Sequence, residues 1–178
     1  TNQTNLVRRL TSLDADGIIG YLPSSRSLLN TLLKHKFPIV AIPLKTPFPG
    51  VVNVLQYPSI GAKGAEHLKQ KGFENFAFFG DESYWSRIRF QGFTNYLLTQ
   101  DIPSKLFSYT VSQRTGESEQ KRLRAWLKKL PKPVGLMTSN DERCLDLVEV
   151  CHEVGLRIPD DIAIVGVDND DMICGLSH

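Results

Sequence analysis

Seven short apolar runs, each set off from the next by a polar or amphipathic stretch, constrain what this chain can fold into more than any other feature. They fall at residues 17–21, 38–42, 51–55, 75–79, 106–110, 134–138 and 162–167. Most are apolar at consecutive rather than alternate positions, as a strand covered on both faces requires. Between them, Leu28, Leu29, Leu32 and Leu33 share one helical face, and Leu145, Val148 and Val154 share another. This strand–helix alternation predicts an α/β protein with a mostly parallel sheet and helices on both sides. An antiparallel sandwich would contradict it.

Helix ends are marked locally. Gly72 and Gly155 follow helical stretches as C′ glycines, and Pro58-Ser59 opens the segment before Gly61. Over 117–130, Leu123, Trp126, Leu127 and Leu130 line one face, while Lys121, Arg122, Arg124, Lys128 and Lys129 occupy the others. Those bases could face nucleic acid. A solvated helix explains them better, because Glu117 and Glu119 begin the stretch and Lys128 and Lys129 end it, as the helix dipole prefers. There is no internal repeat, low-complexity tract or linker. A helix over 5–13 stands ahead of the first strand, and about ten residues follow the last one, so further segments are expected beyond both ends.

Composition narrows the function. Of 178 residues, 41% are hydrophobic and 22% charged, within the range of a globular chain. The 21 Lys and Arg against 19 Asp and Glu leave +2, too small a field for nucleic-acid binding, so any DNA contact belongs to another segment. No apolar run approaches the roughly 18 residues of a membrane span, and no signal core follows Arg8 and Arg9. A cytoplasmic location without membrane contact is the expectation. Cys144, Cys151 and Cys174 form no C-x-x-C pair and are expected to be reduced.

In open α/β sheets, ligands bind beyond the carboxyl ends of the strands. Those ends carry Asp81, Trp85, Asn140 and Asp168 with Asp170 and Asp171. No phosphate loop, nucleophile elbow or H-E-x-x-H is present, and His35, His67, His152 and His178 lie away from strand ends. Catalysis, a metal and a cofactor are therefore not expected; the three aspartates lack the spacing of a calcium loop and a distal glutamate. Asp168 suits a hydrogen-bond acceptor for ligand hydroxyls. Arg89 could donate to two adjacent oxygens from its planar fork, with a surface salt bridge as the competing reading.

Several ordered motifs carry a resemblance. Asp16-Gly17-Ile18-Ile19, Ile60-Gly61, Glu66-His67-Leu68, Lys71-Gly72-Phe73, S-R-I-R-F-Q-G-F over 86–93, T-S-N-D over 138–141, Ile158-Pro159-Asp160-Asp161-Ile162 and Val165-Gly166-Val167-Asp168-Asn169 together resemble the effector domains of the lactose/purine repressor family. His67 to Gly72, Ala77 to Gly80 and L-R-A-W-L-K-K-L-P over 123–131 are most similar to its xylose operon regulators. The resemblance implies a periplasmic-binding-protein-like type I fold of two Rossmann-like lobes, 1–73 and 74–178, both incomplete, clamping a monosaccharide between them. It implies a transcription regulator that binds xylose or a similar aldose and operator DNA through a module outside this chain, as a homodimer. A periplasmic transport receptor and an α/β sugar-processing enzyme are the competing readings. Arg89, Asn140 and Asp168 take the effector-contacting positions, and Trp85 would pack on the sugar ring. Gln56, where many members carry an acid, joins the ligand-binding set. Alanine at Arg89 is expected to weaken binding and leave the fold intact.

Overall fold

A computed structural model of the chain describes residues 2–13, 15–22, 25–42, 46–54, 58–100, 106–111 and 117–176. Each expected apolar run overlaps a strand: β1 (Ile18–Gly20), β2 (Ile39–Ala41), β3 (Val51–Asn53), β4 (Phe76–Asp81), β5 (Leu106–Val111), β6 (Val134–Thr138) and β7 (Ile162–Val165). The helices are α1 (Asn2–Thr11), α2 (Arg26–Lys34), α3 (Ser59–Gln70), α4 (Tyr84–Thr99), α5 (Glu117–Lys129), α6 (Asp141–Glu153) and the short α7 (Asp171–Cys174). None among the described residues is long and apolar enough to cross a membrane.

The chain divides into two compact units, Thr1–Gln56 and Tyr57–His178. The first is a parallel sheet in the order β1-β2-β3, with Ile18 beside Ile39 and Ile39 beside Val51. Ser25 starts α2 by accepting from the Leu28 amide at 3.4 Å. Leu28 and Leu32 of α2 then join Val7 of α1 over Ile39. Alternation along the strands sends Ile19 and Val52 to the other face, where they are 75% and 63% exposed.

The second unit is a parallel sheet in the order β5-β4-β6-β7, so the strand order reverses between β4 and β6. Phe76, Phe78 and Met137 meet Ala65 and Leu68 of α3 and Phe93 and Leu97 of α4. Ala77, Phe79 and Leu136 meet Leu123 and Leu127 of α5 and Leu147 and Val150 of α6. Because both faces are covered, β4 and β6 bury nearly every side chain, which is why they read as unbroken apolar runs.

The division falls at Gln56/Tyr57 rather than at Phe73, so α3 belongs with the second unit. Gly72 ends α3 in a left-handed turn (φ 88°), a local stop that is no domain boundary. Besides the core packing of Ala65 and Leu68, α3 approaches α4 at backbone range: a Cβ at Gly61 would collide with the Arg89 carbonyl, and one at Gly92 with the Pro58 carbonyl. The two helices touch at their glycines.

Glu119 also does more than complement a helix dipole. It is buried, accepts from the Tyr109 hydroxyl at 2.6 Å and pairs with Arg122. Burial, then the bond to Glu119, pushes the Tyr109 hydroxyl up to about 12, while the same bond draws Glu119 below the usual carboxylate range. Linkage gives both signs. Glu119's contribution is present above its unfolded pKa and lost as pH falls through the lowered folded value; Tyr109's is present below its unfolded pKa and lost as pH rises toward 12. Tyr109→Phe is expected to cost about 1–2 kcal/mol at neutral pH. It should also flatten the alkaline loss of stability, as read from urea midpoints between neutral pH and pH 11.

Candidate functional site

The carboxyl ends of β4, β6 and β7 converge beside the strand-order reversal, and α4 delivers Arg89 to them. Ser83 caps α4 by accepting from the Ser86 amide at 3.2 Å, and the Ser86 hydroxyl accepts from the Asp81 amide at 3.1 Å. The helix is thereby fixed to the end of β4. Arg89 is 4% exposed. Its Nη2 donates to Asp168 Oδ1 at 3.0 Å and its Nη1 to the Ser139 carbonyl, so one guanidinium joins the exits of β6 and β7. The Trp85 ring lies 5.2 Å from the guanidinium carbon, one turn earlier on the helix.

The salt-bridge reading of Arg89 therefore holds in part. The pair exists, but on the arginine side it is buried, and much of the fork is already committed to protein. That burial corrects the expectation that alanine at Arg89 leaves the fold undisturbed.

Asp168 is presented differently. Its side chain is 52% exposed, and both it (φ 109°) and Asn169 (φ 55°) occupy the left-handed side of backbone space. For non-glycine residues this costs on the order of 1–3 kcal/mol each and persists only where the surroundings impose it. Such strain suits a turn that must hold one carboxylate in one place.

Asn140 sits at the exit of β6, the hydrogen-bonded neighbour of β7. It is the N-cap of α6, its Oδ1 accepting from the Arg143 amide at 3.0 Å. With that oxygen engaged in the cap, the side-chain NH2 remains as its donor group. Trp85 is half-buried, with its ring against the Arg89 guanidinium. Gln56 lies outside the described residues.

Sequence reasoning passed over Ser139, which contributes only its carbonyl, and Asp141, the last residue of T-S-N-D. Asp141 Oδ2 accepts from the Asp170 amide at 2.8 Å and lies 4.0 Å from the Cys174 thiol. Asp170 caps α7, its Oδ1 accepting from the Met172 and Ile173 amides at 2.9 and 3.1 Å, so that oxygen serves the backbone. Burial, with the charge of Asp141 second, pushes the Cys144 thiol up to about 11, far from a reactive thiolate. A separate cleft of about 180 Å³, floored by Phe79, Leu123 and Val150, lies on the α5/α6 face of the sheet and is lined by none of the expected site residues.

Residues 65–178 match the periplasmic binding protein-like domain. The xylose operon regulatory protein of Haemophilus influenzae is 31% identical over 117 residues, 63% of this chain and 30% of that protein. The structure of a LacI family transcriptional regulator from Enterococcus faecium with bound ribose superimposes with a TM-score of 0.73 at 24% identity, covering 94% of this chain and 62% of that one. That of a xylose-binding transcription activator gives 0.70 at 24%, covering 87% and 43%. The chain thus spans about a third of the curated relative, and the two solved structures speak for the fold.

Proposed function

The chain belongs to the periplasmic binding protein-like domain family, and from that premise we propose that it is the effector-binding part of a sugar-responsive bacterial transcription regulator. The effector is a monosaccharide, xylose or a similar aldose, bound without chemistry. The observation that carries this reading is the Arg89–Asp168 pair beside Asn140 at the strand-order reversal. Asp168 supplies an acceptor held in a strained turn, Asn140 a donor, and Arg89 fixes Asp168 in place. These groups can recognise hydroxyls but do not pair an acid with a base or nucleophile. The similarity to sugar-operon regulators supports the same reading. In the whole protein, operator DNA is held by a separate module, the assembly is a homodimer, and the location is cytoplasmic.

Calorimetric titration of the folded chain with D-xylose, D-ribose, L-arabinose and D-galactose tests this. A micromolar complex requires about 8 kcal/mol, which several charge-assisted hydrogen bonds supply after the cost of association. Asp168→Asn is expected to weaken the preferred aldose roughly 5-fold to 30-fold, since an acceptor remains while charge assistance is lost. Absence of heat with every sugar would overturn the assignment.

A further inference from the structure

We propose that Asp141 is a positioning residue that pins the Asp168 turn in its ligand-receiving shape, an inference that rests on the effector-binding reading of the site. Asp141 is 6% exposed, and a carboxylate buried to that degree needs strong partners. It opens α6, where the helix dipole favours negative charge, and it bonds forward to the β7–α7 connection. One oxygen accepts from the Asp170 amide at 2.8 Å. The other occupies the space a Cβ would take at Gly166, so the exit of β7 is open to it only because residue 166 is glycine.

The carboxylate therefore touches the chain on both sides of Asp168. Gly166 lies two residues before it and Asp170 two residues after, and the strained pair Asp168 and Asn169 stands between these fixed points. Two consecutive left-handed residues would relax if the ends of the turn were free, and Asp168 Oδ1 would then drift from Arg89. Asp141 need not touch ligand. It acts through the path of the backbone, as a support for a residue that does.

The test compares the folded chain with Asp141→Ala and Asp141→Asn by amide hydrogen exchange resolved by NMR and by aldose titration. In Asp141→Ala the Asp170 amide should exchange at least about tenfold faster while amides in β6 keep their protection, and affinity for the preferred aldose should fall about tenfold. Asp141→Asn retains an acceptor oxygen and should recover most of both losses. An Asp170 amide unchanged in Asp141→Ala would overturn the proposal. So would an aldose affinity unchanged once that amide is released. If the unaltered chain binds no sugar of the panel, the effector reading fails, while the exchange comparison still decides whether the clamp exists. Should Asp141→Ala not fold, Asp141→Asn against Asp141→Ser provides the same comparison.

Discussion

Replacing Arg89 with alanine is expected to lower aldose affinity roughly 30-fold to 1000-fold and to destabilise the second unit in the same stroke. Two routes lead to the affinity loss. The guanidinium is removed from the carboxyl end of the sheet, and Asp168 loses the partner that holds Oδ1 in place. The stability loss follows from burial. An arginine 4% exposed, bonded to a buried carbonyl and packed on Trp85, leaves both an unmet acceptor and a void. Breaking a fully buried ion pair costs about 3–5 kcal/mol; with Asp168 half in water, about 2 kcal/mol is the expected figure. Arg89→Lys keeps the charge but cannot serve Ser139 and Asp168 from one planar fork, so it should fall between the two. Calorimetry read beside a urea midpoint separates the affinity loss from the stability loss, and unchanged affinity in folded Arg89→Ala protein would remove this residue from the site.

The sequence was most legible where a signal and its cause lie close together in the chain. The seven apolar runs correspond to the seven described strands, most plainly at β4 and β6, where cover on both faces leaves no polar position to interrupt the run. Asn140 and Asp168 stand at the carboxyl ends of neighbouring strands for the same reason: strand ends follow from the runs. The rest depended on partners far away. Arg89 resembles a surface arginine on its helix until Ser139 and Asp168, 50 and 79 residues on, close over it. Glu119 resembles a dipole-complementing acid until Tyr109 is brought onto it from β5. Gly72 announces a helix end, whereas the compact units part ahead of α3, which lies against α4 at the mutual approach of Gly61 and Gly92. Asp141 stood inside a quoted motif, yet its role became readable only with Gly166 and Asp170 beside it.

The two faces of the second sheet should respond differently to loss of a fully buried ring. Phe79 lies on the α5/α6 face with Tyr109 and Trp126 at centroid distances of 6.0 and 6.5 Å, while Phe93 lies on the α3/α4 face with Phe76 and Phe78 at 6.5 and 5.8 Å. Truncation of either to alanine falls in the range of about 3–5 kcal/mol, set by lost transfer free energy plus the cavity left behind. The cavity term decides the order. Phe79 already borders the cleft of about 180 Å³, so the space its ring vacates joins one that solvent can enter. Phe93 is sealed between α4 and β4, where Gly61 and Gly92 hold α3 and α4 too closely for easy collapse. Phe79→Ala is thus expected near 3 kcal/mol and Phe93→Ala near 5 kcal/mol, each figure about. Both tryptophans, Trp85 and Trp126, belong to the second unit, so urea unfolding followed by tryptophan fluorescence reports that unit's stability. Equal losses, or a greater loss at Phe79, would mean that solvent access does not offset the void on the α5/α6 face.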